Sequence, residues 1–201
     1  MQNDVPAQPG FFPGVDVVTI SLPAWTKGFT AFIGGFKTDE DRMRLAIALA
    51  RENVLRGSGG PFGAAVFEEE SGKLVSVGVN SVERLGNSAM HAEVMALMFA
   101  QAAAGSFTLR APGLRPHVLV TSCEPCAMCL GAVLWSGVQR IAWGAPRGAA
   151  AAVGFDEGPV FPASYQYLED RGIRIVRGLL AEEAQEVLRL YQERGGSIYN
   201  A

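Results

Sequence analysis

The hydrophobic and polar positions of this chain follow helical and strand periods in turn. Thr38, followed by three acidic residues, is typical of a helix start. We predict that this helix runs to about Arg56, where the glycine-rich segment 57–60 ends it. Two β-rich runs follow, Phe62–Phe67 and Leu74–Val79, and the polar residues between them predict a hairpin.

The remaining pattern predicts further helices and strands in alternation. Helices are expected over 91–104, 126–135 and 181–194, and strands over 118–121, 141–143 and 173–176. About thirty residues, including the alanine-rich run 149–153, separate the last two strands, which is long enough for a crossover between parallel strands. The predicted fold class is α/β, a three-layer α/β/α sandwich with helices on both sides of a mixed sheet.

Residues 1–37 differ from the rest, because they are rich in proline, glycine and aromatic residues and lack a clear period. We predict an N-terminal extension that wraps the surface of a domain formed by residues 38–201. Its aromatic side chains need packing partners and argue against simple disorder. These are Phe11, Phe12, Trp25, Phe29 and Phe32.

Composition narrows the possible classes of protein. The 201 residues are 49% hydrophobic, enough for the core of one domain. The net charge is −3 and no basic stripe is present, which favours a small neutral substrate over nucleic acid. Met1–Gly10 lacks the pattern of a signal peptide, and no apolar run is long enough to cross a bilayer, so a cytoplasmic protein is expected.

The three cysteines lie between positions 123 and 129, which favours metal binding over a disulfide framework. His91-Ala92-Glu93 precedes Pro125-Cys126-Ala127-Met128-Cys129, and this order of residues is the signature of zinc-dependent nucleobase deaminases. His91, Cys126 and Cys129 provide three zinc ligands, and the fourth position stays open for water, as in catalytic sites. Glu93 is then an uncommitted carboxylate that can carry protons.

Other interpretations of these residues remain open. A Cys-x-x-Cys pair can be redox-active or structural, and Cys123 could complete a closed four-ligand zinc site, although a buried thiol is the favoured interpretation. Ser88 is a candidate cap for the helix that follows His91. His117, at a strand edge, is predicted to be a surface residue.

The motifs resemble those of the cytidine deaminase superfamily, and within it the bacterial guanine deaminases. The resemblance covers about residues 38–201 and rests also on Gly60-Pro61-Phe62-Gly63-Ala64, Asn80, Gly154-Phe155-Asp156-Glu157 and the Ile-Tyr-Asn tail. Cys123 departs from the family pattern. The resemblance implies a five-stranded sheet, one catalytic zinc ion per subunit and a homodimer. It also implies that the C-terminal tail closes an active site, either its own or that of the neighbouring subunit.

The implied reaction is hydrolytic deamination of guanine to xanthine and ammonia. Zinc lowers the pKa of a bound water, Glu93 carries its proton to the ring, and Glu157, or less favourably Asp156, protonates the leaving amine. The predicted substrate-binding residues are Asn80, Phe62, Ala92, Asp156, Trp135 and Tyr199. Each also has an ordinary structural explanation, such as a turn amide or a packed aromatic ring.

Other substrates and one other class of protein stay open at this point. The same chemistry could act on guanosine or on an aminotriazine such as ammeline. A tRNA adenosine deaminase shares the zinc motif, but the acidic charge balance speaks against it. A non-catalytic zinc module would need four protein ligands and would leave Glu93 without a role.

Overall fold

The computed structural model of the protein describes residues 17–30 and 36–200. The strands are β1 (Gly63–Glu68), β2 (Leu74–Val79), β3 (His117–Cys123), β4 (Arg140–Ala145) and β5 (Arg174–Val176). The helices are α1 (Thr26–Thr30), α2 (Asp39–Leu55), α3 (Val82–Leu85), α4 (Ala92–Ala104), α5 (Ala127–Ser136), α6 (Arg147–Ala152), α7 (Pro162–Asp170) and α8 (Ala181–Glu193). None of these helices is both long and apolar enough to cross a membrane.

The five strands form one mixed sheet in the order β2-β1-β3-β4-β5. Strand β1 is antiparallel to both β2 and β3, whereas β4 is parallel to β3 and β5. The parallel pairing of β4 and β5 confirms the predicted crossover, which contains α6 and α7. The β1–β2 hairpin is also confirmed, with Ala65 opposite Val77.

Two hydrophobic clusters cover the two faces of the sheet. Helices α2 and α8 pack on one face around buried side chains such as Met43, Phe67 and Val187. Helices α4 and α5 pack on the other, around Leu119 and Val133. The three-layer α/β/α arrangement predicted from the sequence is therefore confirmed.

The start of α2 shows how local sequence determines an element of the fold. Thr38 Oγ1 accepts a hydrogen bond from the Asp41 amide at 3.1 Å, and Asp41 Oδ2 accepts one from the Thr38 amide at 3.2 Å. This reciprocal capping box satisfies two amides that the first helical turn leaves unpaired. The helix ends where Gly57 adopts a φ of +60°, as predicted.

Part of the N-terminal region forms a helix that its sequence did not predict, namely α1. Trp25 and Phe29 pack against the cluster beneath α2 and α8, and their rings lie 5.6 Å apart. Phe11, Phe12 and Phe32 lie outside the described residues. The boundary between extension and domain at residue 37 stays a prediction.

His117 is buried, and the prediction of a surface residue is wrong. It begins the central strand β3 and is only 4% exposed. Its amide donates to Gln139 Oε1 at 2.8 Å. Burial follows because β3 pairs with strands on both sides and is covered by helices on both faces, which the residues beside His117 do not reveal.

Candidate metal centre and substrate cavity

The beginnings of α4 and α5 lie side by side on the same face of the sheet. His91 is the N-cap residue of α4, and Cys126 is the N-cap residue of α5. Cys126 Sγ accepts a hydrogen bond from the Cys129 amide at 3.5 Å. The predicted cap Ser88 does not cap α4, because His91 already occupies that position with extended backbone angles. Ser88 lines the neighbouring cavity instead.

His91, Cys126 and Cys129 form a compact set of potential metal ligands. One donor atom from each lies within 4.8 Å of the others. His91 Nδ1 is 3.5 Å from Cys126 Sγ and 3.6 Å from Cys129 Sγ. Two ligands of a tetrahedral zinc ion, with Zn–N near 2.05 Å and Zn–S near 2.3 Å, lie about 3.6 Å apart. The three side chains therefore fit zinc in both chemistry and spacing.

The helix starts also favour the anionic form of one thiol. The pKa of Cys126 is lowered to about 4, chiefly because the Cys129 thiol hydrogen-bonds to it, with further contributions from His91 and the Cys129 amide. Thiolate is the form that binds zinc, and partial positive charge at helix N-termini stabilises it. The site is thus prepared for a cation before one binds.

Cys123 lies outside this set among the described residues. Its side chain ends β3 and is 3% exposed, and burial raises the pKa of its thiol well above the usual value. The pKa of the Cys129 thiol is also raised, so position rather than pKa separates Cys123 from the ligands. This placement favours the open three-ligand site over the closed four-ligand alternative.

Glu93 lies in the first turn of α4, next to the metal ligands. Its Oε2 is 3.4 Å from Cys129 Sγ, and the residue is 6% exposed. Burial raises the pKa of this carboxyl above its ordinary value. A carboxylate with a raised pKa is a stronger base than an ordinary one, which suits acid–base catalysis.

A cavity of about 340 Å³ opens onto two of the three ligands, His91 and Cys126, and has a size typical of small-molecule sites. Five residues predicted from the sequence line it, besides the ligands His91 and Cys126. They are Phe62, Glu93, Asp156, Glu157 and Tyr199.

Glu157 reaches the cavity from the loop that follows α6. Its carbonyl oxygen accepts a hydrogen bond from the Ala127 amide at 3.0 Å, which ties this loop to the start of α5. The pKa of its carboxyl is raised to about 8, mainly by burial and further by the negative charges of Cys126 and Glu93. Glu157 is therefore protonated at neutral pH and can donate a proton.

Three predicted substrate-binding residues do not line the cavity. Asn80 follows β2 and is 1% exposed, and its Nδ2 has no hydrogen-bond partner among the described residues. Ala92 is fully buried in the cluster beneath α4. Trp135 is 78% exposed, so its assignment to the cavity wall is corrected. Six positions beyond Cys129, the helix has turned by about 600°, which directs residue 135 away from the ligand face.

The C-terminal tail docks beside the cavity of its own chain. The Tyr199 ring lies 5.1 Å from that of Phe155. Asn200 Nδ2 donates to the Gly154 carbonyl at 2.8 Å, and Asn200 Oδ1 accepts from the Asp156 amide at 2.9 Å. The tail thus holds the loop that carries Glu157.

Several cavity residues were not predicted from the sequence. Val82, Glu124, Met128 and Asn200 all line the cavity. Met128, between the two cysteine ligands, is 40% exposed. Its position inside the Cys-x-x-Cys motif was the available signal, because a residue between two ligands at a helix start lies close to the metal.

Comparison with known proteins agrees with this geometry. A sequence model of the cytidine and deoxycytidylate deaminase zinc-binding region matches residues 36–145. Guanine deaminase from Bacillus subtilis (strain 168) is 34% identical over 143 residues, which cover 71% of this chain and 87% of that protein.

Solved structures share nearly the whole fold. Guanine deaminase from Nitrosomonas europaea superposes with a TM-score of 0.84 at 42% identity, covering 89% of this chain and 97% of that one. A mutant of the protein NE0047 in complex with 8-azaguanine superposes with a TM-score of 0.85 at 41% identity, covering 90% and 98% of the two chains. The similarity thus extends well beyond the motif segments.

Proposed function

The chain belongs to the cytidine and deoxycytidylate deaminase family, and from this premise we propose that it hydrolyses guanine to xanthine and ammonia. The observation that carries the proposal is the three-ligand cluster with Glu93 beside it at the floor of the cavity. Similarity to two guanine deaminases and to a structure with bound 8-azaguanine supports guanine as the substrate.

His91, Cys126 and Cys129 would hold zinc, which supplies the Lewis acidity that lets water ionise near neutral pH. Glu93 accepts the proton that the attacking water loses and delivers it to a ring nitrogen of guanine. Its burial suits the first of these steps, since a raised pKa makes the carboxylate a stronger base toward the water proton. Attack of the water oxygen at C2 forms the new C–O bond.

Glu157 completes the reaction by donating a proton to the departing amino nitrogen. The C–N bond then breaks, and ammonia leaves with the bonding electron pair, while the new hydroxyl group becomes the C2 carbonyl of xanthine and returns its proton to the Glu157 carboxylate. The raised pKa of Glu157 keeps the proton in place at neutral pH. Glu93 and Glu157 approach from different elements, α4 and the loop after α6, so each can serve a different atom of the base.

The remaining side chains bind the flat base. Phe62 stacks against it, and Asp156 and Tyr199 line the cavity beside it. Asn80 does not line the cavity but donates its main-chain amide to Phe62, which does, and its unpartnered Nδ2 would turn into the cavity to donate to an acceptor on the purine. The main chain of Ala92, at the start of α4, contributes the polarity of the helix N-terminus.

We further propose one zinc ion per subunit, a homodimer and a role in purine metabolism in the cytoplasm. The tail is proposed to act as a lid, because Tyr199 and Asn200 both line the cavity. The net charge of −3 supports a small-molecule substrate rather than tRNA.

The test is ammonia release from guanine, guanosine, adenine, cytosine, cytidine and ammeline, with zinc content measured on the same preparation. We expect guanine to be the preferred substrate. A preference for guanosine or ammeline would support hydrolytic deamination but show that guanine is not the substrate. No ammonia release from any of these compounds would refute the proposal.

The Cys123→Ser variant distinguishes a catalytic zinc site with three protein ligands from a structural site with four. We expect this variant to keep both zinc and turnover, because Cys123 is a buried thiol outside the ligand cluster. Loss of zinc would identify a closed four-ligand site and remove the basis for hydrolysis. Cys126→Ser is the matched comparison and should lose metal.

A further inference from the structure

The N-terminal segment 17–30 contacts the chain on both sides of Asn80. Trp25 Nε1 donates a hydrogen bond to Ser58 Oγ at 3.1 Å, and the Arg56 guanidinium lies 5.6 Å from the centre of the Trp25 ring. Arg84 in α3 donates to the Ser21 carbonyl. The segment is thereby attached to the loop before β1 and to the helix after β2.

Asn53 extends this chain of hydrogen bonds into the interior. The residue has no exposed area. Its Oδ1 accepts a hydrogen bond from Ser58 Oγ at 2.8 Å. Its Nδ2 donates to the carbonyls of Gly60 and Asn80, each at 2.9 Å. One buried amide therefore joins the glycine-rich loop (residues 57–62) to the residue that follows β2.

The direction of these hydrogen bonds is determined at both ends. An indole N–H can only donate, so Ser58 Oγ accepts from Trp25 and has its own proton available for Asn53 Oδ1. At the other end two carbonyl oxygens require a donor, and Asn53 Nδ2 supplies it. The opposite orientation of the amide would place Oδ1 against two carbonyl oxygens. Trp25 and Ser58 thus help to hold Asn53 in its working orientation.

The glycine-rich loop fits closely between two residues that the proposed function assigns to the substrate. A Cβ atom on Gly59 would lie 2.1 Å from the Asn80 carbonyl oxygen and 2.8 Å from Asn53 Nδ2. A Cβ atom on Gly60 would lie 1.9 Å from Tyr199 Oη. Real side-chain atoms cannot approach so closely, so a shift of this loop would displace Asn80 or Tyr199.

We propose that Asn53 is a positioning residue for substrate binding and that Trp25, acting through Ser58, keeps it oriented. This inference rests on the proposed function. Asn80 Nδ2 is buried without a partner among the described residues. Its contribution to substrate binding therefore depends on the position in which the Asn80 main chain is held. Asn53 holds the Asn80 carbonyl, while the Asn80 amide donates to the Phe62 carbonyl at 3.0 Å. The N-terminal segment thereby supports the substrate site without entering the cavity.

Trp25→Phe and Asn53→Ala in the full-length, zinc-loaded protein test the proposal. Trp25→Phe keeps an aromatic ring and removes the indole donor, and it should raise KM for guanine about threefold. Asn53→Ala should raise KM about tenfold. These changes correspond to the usual strength of one or two hydrogen bonds. The dissociation constant of 8-azaguanine should rise in parallel, with kcat within about twofold and zinc content unchanged. Tyr167→Phe is the matched control, since it also keeps an aromatic ring and removes a polar hydrogen, and it should change none of these quantities, because Tyr167 is half-exposed on α7 and its hydroxyl contacts Arg171.

A double-mutant cycle with Asn80→Ala distinguishes positioning from general stabilisation, with the dissociation constant of 8-azaguanine as readout. If Trp25 acts through Asn80, adding Trp25→Phe to Asn80→Ala should weaken binding by less than about 1.5-fold, since contacting networks are non-additive. Effects that multiply in full would overturn the proposal. If Asn53→Ala fails to fold, Ser58→Ala replaces it in the same test, because Ser58 lies between Trp25 and Asn53 in the hydrogen-bond network.

Amide hydrogen exchange gives a readout that does not depend on guanine. The amides of Phe62 and Asn80, both hydrogen-bonded here, should exchange faster in Trp25→Phe and Ser58→Ala than in the wild type. No ammonia release from guanine by the wild type would refute the proposed function alone, and faster exchange would still support the positioning role. Unchanged exchange in these variants would overturn the positioning role whatever the substrate.

Discussion

The two ends of the sheet differ in how their charged and polar side chains are paired. At the end opposite the cavity, where β1 ends and β4 and β5 begin, charged side chains meet in a network. Arg140 pairs with Asp39 and with Glu69, and Arg174 donates to Glu69 Oε1 at 2.6 Å. Arg42 adds a hydrogen bond to the Glu69 carbonyl at 2.7 Å. Each of these charged side chains faces an opposite charge or a hydrogen-bonding group, although Nδ1 of the buried His117, at the start of β3, has no partner in the described part of the chain.

At the cavity end, polar groups are buried close together without full compensation. Asn80 Nδ2 and Tyr199 Oη have no hydrogen-bond partner in the described part of the chain. Two carboxyl groups, Glu93 and Glu157, have raised pKa values there, chiefly because of burial. Unpaired buried donors and displaced pKa values reduce stability and are typical of functional sites. The comparison indicates that one end stabilises the sheet and the other performs chemistry.

The largest effect is expected from Glu93→Gln. The amide cannot take up a proton, so turnover of guanine should fall about a thousandfold while zinc content stays the same. Steady-state ammonia release with metal analysis measures both quantities. Glu70→Gln, an exposed hairpin carboxylate, is the control and should behave as the wild type. Turnover retained in Glu93→Gln would remove the proton-transfer role.

Glu157→Gln should lower kcat about a hundredfold, because the leaving amine loses its proton donor. The sign of the pH dependence follows from the raised pKa. The proton is present below a pKa of about 8, and kcat of the wild type should therefore fall as the pH rises through that value. In Glu157→Gln this fall should disappear. An identical alkaline limb in the variant would assign the titration to another group.

Deletion of residues 198–201 should raise KM for guanine about tenfold, since the Tyr199 wall and the hydrogen bonds of Asn200 are lost together. The deletion begins after Glu193, where α8 ends, so the fold should still form, with a melting temperature lowered by the lost packing of Tyr199 on Phe155. Asn200→Ala alone should show a smaller increase, because Tyr199 remains. An unchanged KM in the deletion would show that the tail is not a lid.

At the opposite end, Glu69→Gln should reduce stability and leave catalysis intact. Its side chain is 13% exposed and contacts two arginines. The loss should be about 2 kcal/mol, between the values for exposed and fully buried pairs, and lower Tm by about 4–8 °C. Thermal unfolding monitored by circular dichroism measures the shift, with exposed Glu193→Gln as control. A fall in kcat/KM of tenfold or more would contradict the separation of the two ends.

Much of the fold and of the metal site was predictable because the signals are local. The Thr38 cap, the glycine that ends α2 and the hairpin after β1 are determined by residues within one turn or loop. The ligand types and the Cys126-x-x-Cys129 spacing place both sulfur atoms near one helix start for the same reason. These predictions required no information about which elements pack together.

The sequence by itself determined the order of the five strands and of the helices α2, α4, α5 and α8, the donor chemistry of the metal centre and the presence of a spare carboxylate beside it. Tertiary structure decided that His117 is buried, that Trp135 faces solvent and that Asn53 links Trp25 to Asn80. Burial and contact depend on which face another element covers, and residues far apart in the chain meet only when the sheet has formed. The period of hydrophobic positions along the chain does not show which distant residues come into contact, so these contacts are known only from the folded structure.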